Sequence, residues 1–116
     1  MTVLIVDDHP SFRASARTLL EAEGYEIVGE AEDGASAVSA AHALHPDLVL
    51  LDVQLPDLDG FEVAQLLQRM EDPPAVVLTS SRDGVDYGRC IGECGARGFV
   101  PKADLSGAAI AALLAA

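Results

Sequence analysis

The chain has 116 residues, half of them hydrophobic (50%), and 19 acidic against 7 basic side chains set its formal charge at −12. That length and composition fit one domain, residues 1–116, around a mainly aliphatic core. The charge argues against direct contact with a nucleic-acid backbone, which needs clustered basic residues, and suits a cation or a basic patch on another protein.

Residues 2–7 (TVLIVD) are a short β-branched run and read as a first strand. Residues 11–24 have helical character, with Phe12, Ala16, Leu19 and Leu20 at steps of three and four. Ser11 is the expected cap of that helix and Gly24 its terminator. Residues 25–31 (YEIVGEA) read as a more exposed strand, and 34–46 as a helix closed by Pro46. Residues 47–52 (DLVLLD) form the most hydrophobic strand, expected at the centre with both faces covered. A loop (53–60) with Pro56 and Gly60 leads to a helix over 61–71 and a fourth strand over 74–80. Residues 84–95 read as a weak helix rich in glycine, 96–102 as a short fifth strand, and 105–116 as a closing helix. Strand and helix thus alternate five times, which predicts an α/β fold with a parallel sheet and helices on both faces. No apolar run approaches the roughly 20 residues that cross a bilayer, and no signal-peptide pattern is visible, so a cytoplasmic protein is expected. Cys90 and Cys94, four apart on the weak helix, are expected to be reduced and structural.

In an open α/β sheet, ligands collect at the carboxyl ends of the strands. Those ends here carry Asp7 and Asp8, Asp52, Thr79 with Ser80 and Ser81, and Lys102. Each has an ordinary alternative. An acidic pair before a helix can simply cap it, an aspartate can open a turn, and a lone lysine is usually solvated. The joint pattern is more informative, because every one lies at the same end of a different strand. Two unit charges ~4 Å apart repel by about 4 kcal/mol at an effective dielectric of 20, so converging carboxylates call for a cation. With oxygen donors and no His or Cys counted at these ends, a hard ion is expected, Mg²⁺ first and Mn²⁺ next. A metal, a lysine and a hydroxyl around Asp52 make a phosphoryl-transfer site with that carboxylate as nucleophile.

At this point the chain resembles the receiver domain of two-component response regulators, over essentially residues 2–116. The resemblance rests on IVDDHP, LLDVQLPDLDG, the strand-end hydroxyls, GARGFVPK and their spacing. DDHP and the spacing of DYG also resemble the NarL/LuxR-type subgroup, whose members usually carry a helix-turn-helix output domain. The resemblance implies a flavodoxin-like sheet of order 2-1-3-4-5 and a switch phosphorylated on Asp52 by a sensor histidine kinase. It implies direct Mg²⁺ ligation by Asp8, ligation through water by Asp7, and a backbone carbonyl contributed by Gln54. Lys102 would pair with the phosphoryl group, and Phe99 would hold the aromatic switch position. For the switch hydroxyl, counting back from Lys102 favours Ser80, whereas the run ending in Thr79 favours Thr79. The chain departs from the family pattern after the lysine, where Ala103 replaces the common proline and Pro101 precedes it. Arg82 is expected to reach over the site and affect phosphate lifetime. The glycines at 84, 88, 92 and 95 are expected to soften the fourth helix into a two-state element. Self-association through helix four, strand five and helix five, or through helices one and five, stays open. So do two rival classes: an aspartate-nucleophile phosphatase, whose D-x-D pattern on strand one is not matched, and a receiver that works unphosphorylated.

Overall fold

The computed structural model describes residues 1–81 and 88–115, with the backbone alone for 88–90. The elements in chain order are β1 (Thr2–Val6), α1 (Pro10–Ala22), β2 (Glu26–Ala31), α2 (Gly34–Leu44), β3 (Leu48–Asp52), α3 (Gly60–Gln68), β4 (Ala75–Ser80), α4 (Gly88–Glu93), β5 (Gly98–Pro101) and α5 (Gly107–Ala115). The strands pair in parallel in the order β2-β1-β3-β4-β5. This is the α/β architecture and strand order expected. All five residues of β3 are buried, as its continuous apolar run required, whereas β2 at the edge is partly exposed.

Successive side chains on a strand point to opposite faces, so the sheet sorts its residues into two cores. Leu4, Val6, Val49, Leu51, Val76 and Leu78 face α2 and α3, meeting Ala37, Ala41, Val63 and Leu67. Val3, Ile5, Leu48, Leu50 and Val77 face α1 and α5, meeting Ala16, Leu20 and Ile110. Each fully buried Leu, Ile or Val contributes roughly 1.5–3 kcal/mol. None of the described helices is long and apolar enough to cross a membrane.

The element ends differ from expectation in instructive ways. Helix α1 starts at Pro10 with His9 as N-cap and no side-chain cap bond, so Ser11 lies inside the helix. Proline wins that start because its fixed φ suits the first helical position and its missing N–H is no loss there. Gly24 does follow the helix at φ 94°, the left-handed conformation that glycine tolerates. Helix α2 ends at Leu44, because His45 already turns left-handed (φ 47°) before Pro46. Gly95 has φ 83° and lies beyond α4, so it terminates that helix rather than softening it from within. Gly84 and the first part of the expected fourth helix lie outside the described residues. Cys94 is buried and its thiol donates to the Ile91 carbonyl at 3.3 Å, while the side chain of Cys90 is outside the described set.

Candidate functional site

The carboxyl ends of β1, β3, β4 and β5 bring the expected polar residues to one end of the sheet. Asp7 follows β1 directly, and its N–H donates to the Ala31 carbonyl at 3.0 Å, extending the pairing with β2. Its side chain is fully buried (0% exposed), that of Asp52 nearly so, and Asp8 is about one-third open (37%). The Lys102 ammonium lies 2.6 Å from Asp7 Oδ2 and 3.6 Å from Asp52 Oδ2. Asp7 Oδ2 accepts no aligned hydrogen bond, so that short contact is one of charge rather than of donor geometry. The Gln54 N–H donates to Asp52 Oδ1 at 3.2 Å.

The loop after β3 is shaped by close backbone approach. A Cβ on Gly60 would stand 2.8 Å from Val53 Cα and nearer still to the Asp52 carbonyl oxygen. Glycine is therefore required there for the start of α3 to lie against the Asp52 backbone, and the Gly60 N–H donates to the Val53 carbonyl at 2.6 Å. Asp59 caps α3 by accepting from the Glu62 N–H at 2.8 Å. Asp57, in the same loop, accepts from the Gly34 and Ala35 N–H groups at 2.7 and 2.9 Å, tying the loop to the start of α2.

The electrostatics centre on Asp52. Burial pushes its carboxyl up to about 6, and repulsion from Asp7 adds to this. The Gln54 N–H and the Lys102 charge work the other way, and Asp8 adds a smaller push upward. Three carboxylates and one ammonium leave this end about two charges negative, which a divalent cation would balance. Carboxylate oxygens of Asp7, Asp8 and Asp52, with a ring nitrogen of His9, lie within 4.8 Å of one another. The carboxylate donors therefore fit a divalent ion, and a ring nitrogen of His9, which the sequence reading did not count at these ends, lies beside them. His9 sits three residues past the end of β1, and its Nδ1 lies 3.1 Å from Asp7 Oδ1 and 3.0 Å from Asp8 Oδ1.

Thr79 and Ser80 are both buried. Thr79 is the register partner of Asp52, and Ser80 pairs with Pro101, one residue farther toward the open end. By alternation Thr79 continues the face of Val77 toward α1 and α5, and its hydroxyl has no hydrogen-bond partner among the described residues. Ser80 continues the face of Leu78, the face on which half-buried Phe99 packs. Lys102 opens a 3-10 turn (Lys102–Asp104), and no cis peptide occurs among the described residues. Arg82 is outside them.

Two further residues were not singled out from sequence. Arg13 donates to the Asp7 carbonyl at 2.6 Å and, through Nε, to Glu30 at 3.0 Å. Arg17 holds the same Glu30 at 2.8 Å. Burial pushes the Glu30 carboxyl up, but the two guanidiniums outweigh it and hold it below its ordinary value. The available signal was the i, i+4 spacing of Arg13 and Arg17 on α1, opposite an acidic residue of β2. Phe12, expected only as core, lies with its ring 4.6 Å beneath the Lys102 ammonium, a cation–π contact.

The family model described as "Response regulator receiver domain" matches residues 3–113. Among curated proteins, the chain is similar to the DNA-binding transcriptional activator EvgA of Escherichia coli, 35% identical over the whole chain and 57% of that protein. The chain spans about half the length of the curated relatives it matches. Among solved structures, it is similar to a two-component response regulator of the LuxR family from Aurantimonas. That likeness has a TM-score of 0.87 at 29% identity and covers 98% of this chain and 85% of that one. The response regulator domain of CheB from Thermotoga maritima matches with a TM-score of 0.81 at 27% identity, covering 99% and 89%.

Proposed function

The chain belongs to the response regulator receiver family, and on that premise we propose that a sensor histidine kinase sets its signalling state by phosphorylating Asp52. The placement of Asp52 carries this reading: buried at the end of the central strand, with Lys102 near one carboxylate oxygen and a backbone N–H on the other. Oδ1 is occupied by the Gln54 N–H, so Oδ2, which faces Lys102, is the attacking oxygen. It forms the new bond to phosphorus as the phosphorus–nitrogen bond of a phosphohistidine breaks, and the imidazole leaves with the electron pair.

The attacking carboxylate must be ionised. Lys102 and the Gln54 N–H favour that form against burial and Asp7. Mg²⁺, or Mn²⁺ in its place, would be held directly by Asp8, through water by Asp7, and by Asp52 and the Gln54 carbonyl. When bound, the ion neutralises charge on the transferring group. Lys102 is already held within reach of Oδ2 by Asp7 and Phe12, and so pairs with the phosphoryl oxygens without rearrangement. Ser80 is the switch hydroxyl in this reading, because it shares a face with Phe99. A shift of Ser80 toward the new oxygens frees the space into which Phe99 turns.

Roughly half of each of these curated relatives lies beyond the matched length, and EvgA is named a DNA-binding activator. A LuxR-type helix-turn-helix output domain is accordingly the proposed partner in the full protein, with this domain touching no nucleic acid itself and working in the cytoplasm. The stoichiometry of phosphoryl uptake tests the reading. Incubation with acetyl phosphate and Mg²⁺ should label about one site per chain, while p-nitrophenyl phosphate should not be turned over. Sustained monoester turnover would instead favour a phosphatase.

A further inference from the structure

We infer that Arg13 is a positioning residue of the phosphoryl-transfer site: through the Asp7 carbonyl it sets the aim of Asp8. The inference rests on the proposal that Asp8 holds Mg²⁺, and concerns what places that carboxylate. The Asp8 side chain is about one-third open (37%) and meets the exposed ring of His9. Its aim therefore depends on the two peptide units that flank it, because each is planar and leaves only the φ and ψ of Asp8 between them. The unit before Asp8 contains the Asp7 carbonyl, which accepts from Arg13 Nη1 at 2.6 Å. The unit after it contains the His9 N–H, which donates to Asp7 Oδ1 at 2.8 Å. Arg13 thus holds one side of Asp8, and buried Asp7 holds the other.

The guanidinium is itself held. The Arg13 side chain is 15% exposed, and its Nε donates to Glu30 Oε1 at 3.0 Å, which turns Nη1 toward the carbonyl. Arg17 takes the other Glu30 oxygen at 2.8 Å, so Glu30 is fixed from both sides. Strand β2 supplies both anchors of the Asp7 backbone, since the residue after Glu30, Ala31, accepts the Asp7 N–H at 3.0 Å. A guanidinium carries its donors in one rigid plane and so serves a carboxylate and a carbonyl together. Its charge, however, opposes a divalent cation nearby. Placement and charge therefore give opposite signs when Arg13 is neutralised. Lost placement weakens Mg²⁺ binding, whereas lost charge alone tightens it.

Mg²⁺ is the probe, titrated by calorimetry into chelator-stripped protein. Arg13→Gln should weaken Mg²⁺ binding by about tenfold, the size of loss typical when a group that orients a metal ligand is removed. Arg17→Gln takes a guanidinium from the same Glu30 without touching Asp7, and should stay within about threefold of wild type. Urea unfolding fixes the folded fraction of each variant, so a loss of stability alone leaves the Mg²⁺ constant of the folded chain unmoved. Slow phosphoryl uptake from acetyl phosphate in Arg13→Gln should recover as Mg²⁺ is raised, because Asp52 and Lys102 are untouched. Wild-type or tighter Mg²⁺ binding in Arg13→Gln, an equal loss in Arg17→Gln, or uptake that stays slow at saturating Mg²⁺ would overturn the role of Arg13 and leave the proposed switch standing. No Mg²⁺ binding by the wild-type chain would overturn both.

Discussion

Asp52→Asn in metal-free protein isolates the electrostatic cost of the site. The Asp52 carboxyl is pushed from an ordinary 3.8 up to about 6, chiefly by burial and then by Asp7. A carboxyl raised in the folded state favours folding while it is protonated. That contribution is complete below 3.8 and lost as pH rises through about 6. The difference between those values corresponds to about 3 kcal/mol of stability. In chelator, wild type should therefore lose about 3 kcal/mol relative to Asp52→Asn between pH 3.5 and pH 7.5, the asparagine being unable to ionise. Urea unfolding of both proteins across that range reads the difference directly, since the other carboxylates titrate in each. Saturating Mg²⁺ should restore most of the lost stability to wild type at pH 7.5 and little to the variant. Parallel pH profiles for the two proteins in chelator would refute the reasoning that burial and Asp7 hold Asp52 against ionisation.

Gly60→Ala should cost about 1–3 kcal/mol by urea unfolding, because its Cβ meets the backbone of Asp52 and Val53, which cannot move aside cheaply. Gly92→Ala acts in the opposite direction: its Cβ meets none of the described residues within 4 Å, so α4 should gain about 1 kcal/mol, read as slower amide exchange in that helix. Thr79→Val removes a buried hydroxyl that has no partner among the described residues, and should leave stability within about 1 kcal/mol of wild type or above it. Ser80→Ala should leave phosphoryl uptake measurable while removing the phosphorylation-dependent change in Phe99, followed by ¹⁹F resonance of a fluorophenylalanine-labelled chain; an unchanged response would assign the switch to Thr79.

The parallel fold was legible because the period of each segment and the apolar run of β3 leave few alternatives. The strand-end rule then placed Asp7, Asp8, Asp52 and Lys102 together, and the fold does bring them together. What the sequence concealed were contacts made across elements. Arg13 reads as a surface residue of an amphipathic helix, and only the passage of β2 beside α1 turns it toward Glu30 and the Asp7 carbonyl. His9 entered the sequence reading only as part of the DDHP resemblance. Pro10 starts the helix two residues earlier than a Ser11 cap would, making His9 the N-cap, with its ring beside the carboxylates. Gly60 read as loop punctuation, whereas its role is steric and depends on the backbone of another element. Local chemistry thus identified the charged groups, and tertiary approach fixed which of them touch.

The central claim is that Asp52 is the phosphoryl acceptor. Intact-mass analysis after incubation with acetyl phosphate and Mg²⁺ tests it most directly, comparing wild type, Asp52→Ala and wild type in chelator. The account predicts a mass gain of one phosphoryl group in wild type alone. An equal gain in Asp52→Ala, or no gain in any sample, would contradict it.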